Sequence, residues 1–256
     1  MERLPRGHEP GRSLHRHADG SIIGDWYGCR LSSVFQPIVD ARSGEVRGQE
    51  AFLRVFGQGQ RDLSPWSLFS AAADDERLIA LDRLCRTVHL LNSLLARSES
   101  LLFLNVHGRL LAAVSDDHGR AFRRVVDALG VSAERIVIET PVAASRQPEL
   151  LNLVLRNYRR HGFQVAVNLE SLVHWPAITL SAPQFVKLAV RSSGWDDRLD
   201  GRVLGDLFRG SGRETVVVLT RNERPLAGSL PGRVWLQGHA YGSPRMLPPD
   251  PGPRGA

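Results

Sequence analysis

The feature that most constrains this chain is a recurring unit: a short, nearly uninterrupted apolar run that closes on a polar residue and is followed by an amphipathic stretch. The runs are VRGQEAFLRV, LLFLNV, RIVIE, FQVAVN, FVKLAV, TVVVL and VWLQG. Strands that are apolar on both faces belong to parallel sheets covered by helices, because a solvated face would alternate with polar residues. Repeated strand-then-helix units in this number predict an α/β fold closed into a (β/α)8 barrel. A doubly wound open sheet is the alternative, but the chain carries no GxGxxG or GxxxxGK[ST] loop to support a nucleotide site of that kind. The clearest helix is predicted over residues 147–161. There Leu150, Leu151, Val154, Leu155 and Tyr158 recur on one face, Ser145 caps the start and Gly162 ends it.

With 256 residues, 42% of them hydrophobic, the chain can bury the core of one such barrel. No stretch approaches the ~20 apolar residues of a membrane span, and MERLPRGHEPGRSLHRHADG lacks the apolar centre of a secretory signal. A soluble cytoplasmic protein with no membrane partner is expected. Cys29 and Cys85 form no CxxC pair, and His8, His15 and His17 lack the context of a zinc site. The net charge of +6 would suit a nucleic acid, but arginines interleave with acids along the chain, so an anionic nucleotide ligand is expected instead. Residues 1–30 and 248–256 read as flexible tails around one domain at 31–247, because neither has apolar periodicity and the second is rich in proline.

The polar residues that close the strands are Glu50, Asn105, Glu139, Asn168, Lys187 and Gln237. Each alone reads as the start of a solvated loop. In a barrel, however, these ends converge on one rim, and carboxylates with amide oxygens there make an oxygen-rich site suited to Mg²⁺ or Mn²⁺. Lys187 is the only lysine in a chain that otherwise uses arginine, which marks a place where a compact ammonium is wanted.

These residues resemble a known family. VFQPIVDARSGEVRGQEAFLR, residues 34–54, is similar to the opening of EAL domains, in which an aromatic-Gln-Pro-Ile-Val strand precedes Glu-Ala-Leu-Leu-Arg; here the signature reads Glu50-Ala51-Phe52-Leu53-Arg54. LIALDRL with Asp82, LLFLNV with Asn105, ERIVIET with Glu139, FVKL with Lys187, and VWLQGHAYGSP with Gln237, Gly238 and Pro244 follow in the family's order. The resemblance implies a TIM-like barrel with one strand antiparallel. In active members it also implies hydrolysis of cyclic di-GMP with two Mg²⁺ or Mn²⁺ ions. It places Gln36, Glu50, Leu53, Arg54, Asp82, Asn105, Lys187 and Gln237 in the ligand-binding set, Glu50 and Lys187 as vestigial catalytic residues, and Glu50, Asn105, Glu139 and Asn168 as vestigial metal ligands.

The pattern also breaks. Where active members have Asp-Asp-Phe-Gly-Thr-Gly, this chain has Asn168 and Leu169 followed by Glu170-Ser171-Leu172. Leu219 stands at the position of a functional glutamate, before Thr220 and Arg221 and with Glu223 nearby; Val142 and Ala189 replace two further acids. The expectation is therefore a degenerate phosphodiesterase that needs no cofactor, holds Mg²⁺ or Mn²⁺ weakly at most, and acts in signalling as a cyclic di-GMP receptor with an unidentified protein partner. Some receptors of the family carry Phe-Leu-Arg at this spot, as Phe52-Leu53-Arg54 does here. The alternatives are a nucleotide-independent protein-interaction module of the same fold, and a weak phosphodiesterase.

Overall fold

The computed structural model describes residues 12–57, 62–113, 117, 119–169, 175–179, 182–189, 205, 215–225, 230 and 233–250. They form two compact units: Met1–Val34, Phe52–Ser98 and Met246–Ala256 make the first, and Phe35–Ala51 with Glu99–Arg245 the second.

The second unit is the barrel. Its strands are β3 (Cys29–Asp40), β4 (Val46–Phe56), β6 (Leu101–Asn105), β7 (Ile136–Thr140), β8 (Gln164–Leu169), β9 (Phe185–Ala189), β10 (Val216–Thr220) and β11 (Val234–Leu236), with β3 and β4 each running on into the first unit. The order β3-β11-β10-β9-β8-β7-β6-β4, with β4 pairing back to β3, closes the sheet. Every pair from β4 round to β11 is parallel, and β3 alone runs antiparallel to β11. The outer layer includes α3 (Gly108–Ala113), α4 (Arg120–Ala128), α5 (Pro148–Arg160) and α6 (Trp175–Thr179). Helix α5 follows the predicted stripe, with Leu151, Val154, Leu155 and Tyr158 buried. Its cap differs: Gln147 holds the N-cap position, and Ser145 instead donates to the Val142 carbonyl inside a preceding 3-10 turn. Gly162, at φ +80, ends the helix as expected.

Strand side chains alternate, so every second residue faces the barrel interior. One interior layer is apolar: Ile38, Phe103, Val137, Ala166, Phe185, Val216 and Val218, with Leu101 and Trp235 against it. Phe103 and Phe185 meet edge to face at 5.1 Å. Room for the Phe103 ring comes from Gly48, whose missing Cβ would stand 2.6 Å from a ring carbon.

In the first unit, β1 (Arg12–Arg16) and β2 (Ile22–Trp26) form an antiparallel hairpin that continues into the start of β3. The end of β4, the short β5 (Asp62–Leu63), α1 (Pro65–Ser70) and α2 (Asp75–Leu95) complete it. Residues 12–30 are thus built structure rather than a flexible tail. The strand RSLHR is too polar to read as one, yet it is held by pairing with β2, and β2 is held by Asn92 of α2, which exchanges bonds of 2.7 and 2.8 Å with the Ile22 backbone. His15 faces Asp25 at 3.0 Å and His17 faces Asp19 at 3.2 Å; His8 lies outside the described residues. Ser33 bonds the buried His89 at 2.7 Å, and burial pushes that imidazole down to about 4, so it is neutral. The expected tail at 248–256 is corrected in part: Asp250 donates its backbone N–H to Leu95 and pairs with Arg97 at 2.8 Å. Among the described residues no helix is long and apolar enough to cross a membrane.

Gly48→Ala would drive a methyl into a ring that is packed on all sides. The variant is expected to lose about 1–3 kcal/mol of stability in a denaturant titration, as overpacked cores do.

Candidate functional site

One step along the interior from the apolar layer, the same strands present polar side chains. Two residues past Phe103 comes Asn105, past Val137 comes Glu139, past Ala166 comes Asn168, past Phe185 comes Lys187 and past Trp235 comes Gln237; Glu50 follows Gly48 on β4. Strand β3 runs the other way, so Gln36 precedes Ile38. This period of two explains why the strands end in polar residues at the C-terminal rim of the barrel.

Lys187 is the centre of this layer. Its ammonium donates to Glu50 Oε2 at 2.6 Å and to Glu139 Oε2 at 2.7 Å, with the Phe103 ring centroid 5.6 Å away. Gln237 donates to Glu50 Oε2 at 2.6 Å and to Gln36 Oε1 at 3.3 Å. Asn105 donates to Glu50 Oε1 at 2.8 Å. Asn168 donates to Glu139 Oε1 at 2.8 Å and to the Thr140 carbonyl at 2.9 Å. All four carboxylate oxygens therefore already accept an N–H. Glu50, Glu139, Lys187 and Gln237 are 3–5% exposed, so an unpaired charge here would carry a heavy desolvation cost. Asn105 is exposed and Asn168 half-buried, which opens the layer to solvent on their side.

The two carboxylates differ in basicity. Burial pushes Glu50 up, but the Lys187 charge and the bonds from Lys187, Asn105 and Gln237 more than reverse this, leaving it below the usual carboxylate range. Burial and then the Glu50 charge push Glu139 up to about 7, against the pull of Lys187 and Asn168. Burial pulls Lys187 down, and the Glu139 and Glu50 charges together hold it above its ordinary value. One full negative charge, one full positive charge and a readily protonated second carboxyl make up the cluster at neutral pH.

The structure thus brings together Gln36, Glu50, Asn105, Glu139, Asn168, Lys187 and Gln237, all in the second unit. Leu53, Arg54 and Asp82 belong to the first. There Leu53 packs partly buried on the core around Trp26 and Leu81, and Arg54 is exposed. Asp82 is 2% exposed and pairs with Arg86, one turn further along α2. Leu169 is buried and brings no oxygen. The interior residues of β10 are Val216 and Val218, so Leu219 alternates to the other face, and this strand adds no carboxylate to the layer. Glu223 stands 3.4 Å from His239, both exposed, and is not part of the cluster. The segment at Glu170, Ser171 and Leu172 lies outside the described residues. Among the described residues no group of three His, Cys, Asp or Glu side chains is placed to hold a metal ion.

Sequence reasoning missed Asn222. It is 2% exposed, and its amide donates to the Leu219 and Gln237 carbonyls at 2.7 and 2.9 Å, fixing Gln237 in the layer. Its backbone approaches so closely that a Cβ on Gly238 would stand 2.2 Å from the Asn222 carbonyl oxygen, and Gly238 adopts φ +152. The pairing of an asparagine with a glycine sixteen residues on carries no periodic signal.

The EAL domain family matches residues 27–189, and the chain belongs to that family. No curated protein matches it. Among solved structures, the EAL domain of FimX from Pseudomonas aeruginosa bound to c-di-GMP is 16% identical, with a TM-score of 0.66 over 84% of this chain and 91% of that one. A standalone EAL protein from Vibrio cholerae O395 in its c-di-GMP-bound form is 18% identical, with a TM-score of 0.62 over 88% of this chain and 98% of that one. The EAL enzyme Bd1971, with cAMP and cyclic di-GMP bound, gives a TM-score of 0.66 at 14% identity, and this chain spans 62% of its length. These likenesses show the fold.

Two measurements test the cluster. Lys187→Met leaves two carboxylates buried without their cation and is expected to cost about 3–5 kcal/mol in chemical denaturation. Unfolded, Glu139 titrates near its ordinary 4.5, so between that value and about 7 the folded protein holds the extra proton. Its contribution to stability is complete below pH 4.5 and is lost as pH rises through 7. Glu139→Gln should therefore remove a decline in melting temperature across that window; an unaltered pH profile would contradict the assignment.

Proposed function

We propose that this chain is a cyclic di-GMP receptor that does not hydrolyse its ligand. The observation that carries the reading is the engagement of Glu50 and Glu139, whose four oxygens each accept at least one N–H from Lys187, Asn105, Asn168 or Gln237. Hydrolysis with two dications requires several carboxylates free to bridge the metals and to make a bound water acidic. Two carboxylates sharing one ammonium, beside an asparagine and a buried leucine, do not fit that requirement. Residual Mg²⁺ or Mn²⁺ binding would compete with the Lys187 ammonium for the same two carboxylates.

Recognition asks for less. FimX and the Vibrio cholerae protein are solved with c-di-GMP bound, and this chain carries their fold with an ordered polar layer at its rim. Asn105 and Asn168 each turn the amide nitrogen toward a carboxylate, which directs the carbonyl oxygens elsewhere as acceptors for guanine N–H donors. Arg54 is exposed and offers a planar fork for a phosphate, and Leu53 an apolar surface for a purine face.

Titration calorimetry with cyclic di-GMP, with and without chelator, tests the proposal. Binding should survive chelation, and Arg54→Ala should weaken it about tenfold or more, as loss of a charge-assisted hydrogen bond does. Robust turnover with Mg²⁺ or Mn²⁺ would overturn the non-hydrolytic reading. Absence of binding heat would overturn the receptor itself and leave a nucleotide-independent protein-docking module.

A further inference from the structure

The first unit contains a cavity of about 290 Å³ lined by Trp26, Tyr27, Cys29, Leu68, Ala71, Ala72 and Arg77. None of these residues belongs to the polar layer of the barrel. The volume lies near the lower end of small-molecule sites and, at roughly 30 Å³ per water molecule, has room for a ligand of one or two rings.

The backbone beside it is unusual. Trp26 pairs with Cys29 across a two-residue turn in which Tyr27 has φ 44 and Gly28 has φ 82. Turns with two positive φ values favour Asn-Gly, because a bulky side chain is strained in the left-handed region. Here a tyrosine is held in that conformation. Its ring, 52% exposed, stands edge-on to Trp26 at 5.1 Å and lies under the Arg77 guanidinium at 5.8 Å. Strained positions of this kind cluster at ligand sites. Arg77 has a weak competitor: its ion pair with Asp74 is a single 3.5 Å contact between half-exposed side chains, which leaves the planar fork able to take a second anion. Two aromatic rings, the apolar Leu68, Ala71 and Ala72 and one guanidinium in the lining define the ligand's chemistry.

We propose that this cavity binds a small planar aromatic carboxylate, its ring against Trp26, Tyr27 and Leu68 and its carboxylate on Arg77.

The two cysteines supply the test, because Cys29 is half-buried in the cavity wall whereas Cys85 is buried in the core behind Trp26 and Leu68 and does not line the cavity. Iodoacetamide labelling of the full chain is followed by mass spectrometry with 2-naphthoate or the neutral 2-naphthamide present. At about ten times its dissociation constant, naphthoate should slow Cys29 labelling about tenfold, and naphthamide should protect far less. Arg77→Met should abolish that difference. Tyr27→Asn should raise the melting temperature by relieving the turn while losing the protection, which separates a ligand role from a packing role. Equal protection by both probes, protection by neither, or a Tyr27→Asn protein that melts lower would overturn the proposal.

Discussion

A single ammonium organises the barrel. Lys187 projects from β9 into an interior where it touches carboxylates carried by β4 on one side and β7 on the other. Burying that charge alone would cost far more than any one contact returns, so the layer exists only as a set: the cation needs both carboxylates, and each carboxylate needs its amide donors. The apolar layer beneath keeps water from taking the place of either partner. The two carboxylates that the family resemblance gives to divalent metals both accept from the protein's own cation.

The proposed receptor reading separates two properties that active relatives combine. Holding a nucleotide requires fixed donors and acceptors, which a connected network supplies because each member is held by its neighbours. Cleaving a phosphodiester requires unsaturated oxygens that can gather dications. Asparagine at 168 donates its amide to Glu139, where an aspartate would set a second negative charge against it.

The barrel was legible because its information is periodic. Apolar runs with a polar residue two positions beyond the last inward side chain mark both the strands and the rim, and Lys187 announced itself by being the only lysine. What escaped was carried by single long-range bonds. The hairpin at 12–26 has no apolar rhythm and depends on Asn92, seventy residues away from Ile22, so composition alone reads it as a tail. Asn222 escaped for the same reason. Leu219 was placed by matching letters to the family's glutamate, whereas the pleat of β10, fixed by Val216 and Val218, turns it away from the interior.

Among the described strands of the barrel, β3 is the one that runs against the others. β3 and β4 are joined by a tight turn at Asp40–Glu45, so one side of the closed sheet is made locally and early in the sequence. The other side waits for β11, almost two hundred residues later, to pair Leu236 with Val39. Until then β3 has an open edge and Glu50 lacks the Gln237 amide. The polar layer therefore cannot be complete before residue 237 has been made, and the chain cannot present a finished rim to any ligand while β11 is still unmade.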